Sequence, residues 1–161
     1  MVFQKLIGIS RDALQIYFDG KFPKEDLENV LKTNENDMKN GRYKLGKNEI
    51  SILFPDDGSC PLSSTFDITI LYKLLRNYGE DMPKPSQGWG KKPHIGDKKE
   101  TDDLERVRYY RNMFCHATPE TSIMEKDDFE LSWMDLSKAI MRLSNGTLTA
   151  KINELEKEIP T

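Results

Sequence analysis

No stretch of this 161-residue chain approaches the roughly 20 apolar residues that a membrane-spanning helix requires. The opening segment MVFQKLIGIS also lacks an apolar core followed by a small-residue cleavage site, so it does not read as a signal peptide. Cysteine is scarce. Two residues, Cys60 and Cys115, exclude a disulfide framework and suit a reducing compartment. The expectation is an intracellular, cytoplasmic protein with no membrane contact. Histidine is equally sparse at two residues, and no Cys or His pair has the spacing of a metal site, so neither a metal nor another cofactor is expected. An excess of one charge is missing too: 24 Lys and Arg stand against 27 Asp and Glu, for a net charge of -3. A general nucleic-acid coat carries a strongly positive balance. Any contact with RNA must therefore come from a local site.

Hydrophobic residues make up 37% and charged residues 32% of the chain, and mean hydropathy is -0.68. Helices with fully charged outer faces account for so wet a composition. The length fits one domain over residues 1–161, without internal repeats. Leu6, Ile9, Ala13, Ile16 and Tyr17 recur at three- and four-residue steps, which predicts a first helix from Phe3 to Phe18 ended by Asp19-Gly20. Pro23 introduces a second helix that stops at Asn40-Gly41. Glu49 to Phe54 is too short to assign, and Pro55-Asp56-Asp57-Gly58 reads as a turn. Ser63-Ser64-Thr65 offers capping oxygens ahead of Ile70, Leu71, Leu74 and Leu75, with Gly79 closing that helix. Residues 80–100 hold prolines, glycines and lysines without helical pattern and read as one long loop, an uncommon feature inside a compact domain. Gly88-Trp89-Gly90-Lys91-Lys92 within it lacks the spacing of a P-loop. Thr101-Asp102-Asp103 opens the next helix. Phe129, Trp133, Leu136, Ile140 and Leu143 mark another as a narrow apolar stripe. A last helix, read over 147–159, is expected to lead toward a further module fused to this one.

The informative stretch is Leu104 to His116, LERVRYYRNMFCH. At about 100° per residue, Val107, Phe114 and Cys115 lie within about 80° of Leu104, and Arg111 lies about 20° from it. Arg111 is thus expected on the buried face, satisfied by an acidic partner or by a ligand's phosphate. Arg108, Asn112 and His116 follow one another at four-residue steps and stack on one side of the helix. A histidine there can take and give a proton near neutral pH. A merely solvated helix face would carry the same polar line. Lys91, Lys92, Lys98 and Lys99 add a local source of positive charge, although acidic residues are interspersed.

Arg111-Asn112 followed by three residues and His116 resembles the signature of the HEPN superfamily (higher eukaryotes and prokaryotes nucleotide-binding), in which an Arg and a polar residue precede a His near a helix end. Phe54-Pro55, Phe66-Asp67-Ile68-Thr69, Leu74-Leu75-Arg76-Asn77, Gly88-Trp89 and Arg108-Tyr109-Tyr110-Arg111-Asn112 resemble, in order, the HEPN branch typified by a zinc-finger, RNA-binding ubiquitin ligase that interacts with DAZ. The resemblance implies an all-α, antiparallel helical bundle with the long loop preceding the motif-bearing helix. It implies a homodimer, and a metal-independent endoribonuclease cleaving single-stranded RNA at an Arg/His site between protomers. His116 would then move the protons, Arg111 would hold the scissile phosphate, and Asn112 would orient His116 or the phosphate. Arg108, Lys91 and Lys92 would contact RNA. Two alternatives remain open: an inactive module that binds RNA or a nucleotide, and a dimerising module within a larger immune-sensor or ubiquitin-ligase chain.

Overall fold

A computed structural model describes residues 2–115 and 125–160, Cys115 by its backbone alone. The regular structure of the described residues is helical throughout: α1 (Val2–Lys21), α2 (Lys24–Lys39), α3 (Lys47–Leu53), α4 (Ile68–Tyr78), α5 (Glu100–Cys115), α6 (Lys126–Leu143) and α7 (Thr149–Glu156), with short 3-10 turns at Arg42–Lys44 and Ser63–Thr65. The all-α expectation holds. The chain divides into two compact units, Tyr17–Asp81 on the one hand and Met1–Ile16 with Met82–Thr161 on the other.

In the unit Tyr17–Asp81, Phe18 is fully buried, stacked on Phe22 at 4.7 Å and edge-on to Phe66 at 5.9 Å. The helix carrying Phe18 does not stop at Asp19-Gly20. It continues to Lys21, because the break is made by Pro23, which disfavours helical geometry in the residue before it. Leu27, Leu31 and Met38 form the buried stripe of α2, which ends as expected before Gly41 at φ 92°. Glu49 to Phe54 resolves into α3, whose Glu49 accepts from the Gly46 amide at 2.9 Å and pairs with Lys73 at 3.1 Å.

The start of α4 corrects the sequence reading. Ser63-Ser64-Thr65 is a separate 3-10 turn, and Asp67 caps the helix, its carboxylate accepting from the Ile70 amide at 2.9 Å. Ile68, Ile70, Leu71, Tyr72, Leu74 and Leu75 are all buried, so register at this cap decides which residues enter the core. Asp67→Ala is expected to lower stability by about 1 kcal/mol, read as a shift in urea midpoint at unchanged slope. The same change at Ser63 or Ser64 should leave the α4 start intact.

In the other unit, α5 and α6 run antiparallel: Asp103 meets Arg142 near one end, and Tyr110 meets Asp135 further along. Phe3 of α1 sits among aromatic rings from both helices, 4.5 Å from Phe114, 5.9 Å from Tyr110 and 6.2 Å from Trp133. Trp133 spends its indole N–H on Glu156 of α7 at 3.1 Å. The stripe read from the sequence is the buried one, with Trp133, Leu136, Ile140 and Leu143 inward. The last helix is shorter than the 147–159 expected. Asn145 and Gly146 take positive φ, and regular helix begins only at Thr149.

Candidate functional site

Every residue of α5 from Thr101 to Val107 is buried, charged ones included. Asp102 accepts from the Ser86 amide (2.8 Å), the Ser86 hydroxyl (2.7 Å) and the Lys99 amide (3.0 Å), which fastens both arms of the long loop to the helix start. Asp103 accepts from Arg142 Nε and Nη2 at 2.9 and 2.8 Å and from Arg106 Nη1 at 3.0 Å. Burial pushes its carboxyl above the ordinary range, while Arg142 and Arg106 pull the other way. Arg106 reaches in the opposite sense as well, donating from Nε to Asp135 at 2.7 Å and from Nη2 to the His94 carbonyl at 2.8 Å. The second Asp135 oxygen accepts from Tyr110 at 2.8 Å, and burial together with that carboxylate drives the phenol pKa upward.

This network overturns one expectation. The buried arginine of the helix is Arg106, 1% exposed; Arg111 is half-exposed and donates to Asn112 Oδ1 at 3.1 Å. Among the described residues Arg111 has no carboxylate partner. The physical reason lies in the first two turns of α5, which are enclosed on all sides. Taking Leu104 as the centre of a single buried face therefore misjudges the helix. Beyond Val107 the core side follows Val107 and Tyr110, and Arg111 falls at its margin.

Arg108 is half-exposed, its Nε on the buried Glu105 at 2.7 Å. Asn112 is half-exposed beside Arg111, while His116 lies outside the described residues. Lys91 is exposed, and Lys92 places its ammonium 4.6 Å from the Tyr109 ring centroid. The loop thus returns to the same helix that carries Arg111 and Asn112.

The acids that balance this segment in the sequence, Asp102, Asp103 and Glu105, point inward. What remains at the surface between Lys84 and Arg111 is basic: Lys84, Lys91, Lys92, Lys98 and Lys99 exposed, Arg108 and Arg111 half-exposed, against half-exposed Asp97 and Glu100. Hydrogen bonds from Gln87 Nε2 and the His94 amide hold Asp97 below the usual carboxylate range.

Between the loop, α5 and α6 runs an open groove of about 820 Å³, lined among others by Lys92, His94, Tyr109, Met113, Asp128 and Ser132. The sequence reading passed over Tyr109. Its signal was present, because Tyr110 lies on the core line and an adjacent tyrosine must then point away. The other unit has a cleft of about 460 Å³ where Glu28, Glu35 and Asp56 offset Lys32 and Lys39, so it offers no field of one sign. Among the described residues no group of His, Cys, Asp and Glu could hold a metal, and no helix is long and apolar enough to cross a membrane.

Residues 24–160 match the DZIP3/hRUL138-like HEPN family. The chain belongs to that family. No curated protein and no solved structure gives a significant match. The HEPN match takes in α2 to α7, hence the loop, α5, and the Arg111, Asn112 and His116 positions. Among the described residues the regular structure is all helical, with a loop from Gly79 to Lys99 ahead of the motif-bearing helix, as expected of a HEPN domain.

Proposed function

We propose that this HEPN chain is a metal-independent endoribonuclease acting on single-stranded RNA as a two-fold homodimer. The observation that carries the reading is the sorting of charge along α5 and its loop. Asp102, Asp103 and Glu105 are turned into the protein while Lys84, Lys91, Lys92, Lys98 and Lys99 face outward, so a chain of net charge -3 still offers a local basic surface along the loop and the helix that carries Arg111 and Asn112. A phosphodiester strand is the polymer such a surface attracts.

In this reading Lys91, Lys92 and Arg108 bind backbone phosphates and Arg111 holds the scissile one. Its planar, permanently charged fork offsets the charge that grows on the non-bridging oxygens. His116 takes the proton from the ribose 2′-hydroxyl, or returns one to the leaving 5′-oxygen. The 2′-oxygen forms a bond to phosphorus as the bond to the 5′-oxygen breaks, which leaves a 2′,3′-cyclic phosphate. Asn112, already hydrogen-bonded to Arg111, keeps that guanidinium aimed. His116 follows Arg111 by five positions, which is about 140° on a straight helix. A two-fold axis brings an Arg111 and a His116 of different copies together where one helix alone holds them apart.

Labelled single-stranded RNA incubated with the protein in EDTA tests the reading. Cleavage is expected to persist, to end in a 2′,3′-cyclic phosphate, and to stop when the nucleotide at the cut is 2′-deoxy; light scattering should give twice 18.7 kDa. RNA bound but left intact would replace the nuclease with an RNA-binding HEPN module. The exposed Asp127, Asp128 and Glu130 at the start of α6 favour that second reading, since they weaken the field on the same unit.

A further inference from the structure

Apart from Lys92, assigned above to a backbone phosphate, the lining of the groove between the loop, α5 and α6 has no part in the chemistry above. On an ideal helix Tyr109 points about 160° away from Arg111. We propose that this groove is a subsite for an unpaired guanine of the RNA strand, with Tyr109 as its stacking platform and Asp128 reading its edge; the inference rests on the RNA-directed function proposed above.

Three features of the groove select this occupant. The first is the half-exposed Tyr109 ring, which lies in the groove wall and has Lys92 over it. An exposed cation–π contact is weaker than a base stacked on an aromatic ring. A base can therefore take the ring face and release the Lys92 ammonium to the phosphate that accompanies it. The second is the apolar lining: Ile95, Met113 and Leu131 are large, exposed and in the groove. Such residues close around the faces of a planar base, as water-loving side chains would not. The third is Asp128, an exposed carboxylate on the α6 wall. Its two oxygens accept from two neighbouring N–H donors, and guanine presents such a pair on its Watson–Crick edge. Adenine offers only an amino group there. Uracil shows a lone N–H between two carbonyls that a carboxylate repels.

The floor of the groove is fixed rather than adaptable. Asp135 is consumed by Arg106 and Tyr110, and Arg106 Nη2 holds the His94 carbonyl, so the loop wall is tied to the helix wall before RNA arrives. A preformed site does not spend binding free energy on ordering its walls. Because Tyr109 and Arg111 lie on different sides of α5, the guanine belongs to a nucleotide neighbouring the cut, and the groove sets where along a strand cleavage falls.

Fluorescence polarisation in EDTA tests the subsite with 2′-O-methyl strands, which lack the attacking hydroxyl and cannot be cut: an oligoadenylate with one central guanosine, the same oligomer with inosine there, and oligoadenylate alone. Wild type is expected to favour the guanosine strand over both others. Tyr109→Ala should weaken it about tenfold, and Tyr109→Phe should restore it, since the ring and not the hydroxyl stacks. Asp128→Asn should abolish the preference for guanosine over adenosine. Wild-type affinity in Tyr109→Ala would overturn the subsite and leave the nuclease reading standing. So would a change of oligomeric mass in Tyr109→Ala, which would mean that the groove is covered by a second copy. Failure of the wild type to hold any of the three RNAs would instead remove the proposed function, and the subsite with it.

Discussion

Arg106→Met is expected to cost about 3–5 kcal/mol of stability and to lower the thermal midpoint by on the order of 10 °C. The methionine fills most of the volume, so the loss is electrostatic rather than a cavity effect. Arg106 is 1% exposed and spends its guanidinium on Asp103, Asp135 and the His94 carbonyl. Without it the His94 carbonyl loses its 2.8 Å donor. Asp103, whose carboxyl burial already pushes upward, keeps only Arg142. Desolvating an ion is costly, and one partner removed leaves that cost uncompensated. Asp103→Ala should hurt less, because Arg142 is partly exposed and can turn to water while Arg106 retains Asp135. Amide exchange should rise at His94 to Asp97 in Arg106→Met, as the loop wall loses its tie to α5. A melt within about 2 °C of wild type would mean that this network contributes little, and that packing alone holds α5 to α6.

What the sequence disclosed and what it hid follow from one distinction. Periodicity reports burial when polar residues face water, and it does so in α6, where Trp133, Leu136, Ile140 and Leu143 lie inward as their spacing requires. It fails in the first turns of α5. Asp102, Asp103 and Arg106 are polar and buried, and each finds a partner on a segment distant in sequence: Ser86 for Asp102, Arg142 for Asp103, Asp135 for Arg106. No spacing rule foresees a partner 29 or 39 residues away. The same blindness displaced the buried arginine from Arg106 to Arg111. It also hid the basic surface, because charge counted along the chain cannot tell an inward carboxylate from an outward one. Local chemistry fared better where it was read closely. The Asn40-Gly41 and Asn145-Gly146 stops and the Pro55–Gly58 turn stand where their residues put them. The cap is Asp67 and not the three hydroxyls before it, because its carboxylate stands directly ahead of Ile68 and within reach of the Ile70 amide. The motif of the HEPN family was legible because it is a matter of residue identity, and identity survives where geometry is not yet known.

His116→Ala should slow RNA cleavage by about 10²–10⁴-fold, the usual contribution of a positioned acid or base. The companion change, Arg111→Ala, should cost about 10²–10³-fold, as loss of a donor aimed at developing charge does. The structure alters what accompanies the second loss. Were Arg111 on the buried face, its removal would strand a carboxylate and destabilise the fold. It is half-exposed and hydrogen-bonded to Asn112, so Arg111→Ala should melt with the wild type. Lost rate without lost stability is the mark of a group that acts on substrate. Asn112→Ala should slow cleavage less than either, since it touches the guanidinium and not the phosphate. Mixing His116→Ala with Arg111→Ala protomers then separates a shared site from two independent ones. If each site draws Arg111 from one copy and His116 from the other, a mixed dimer regains one intact site of two and cleaves at about half the wild-type rate. If each site lies within one copy, every site in the mixture is broken and no activity returns. Wild-type rates in His116→Ala, measured under single turnover, would remove His116 and the Arg/His site from the chemistry.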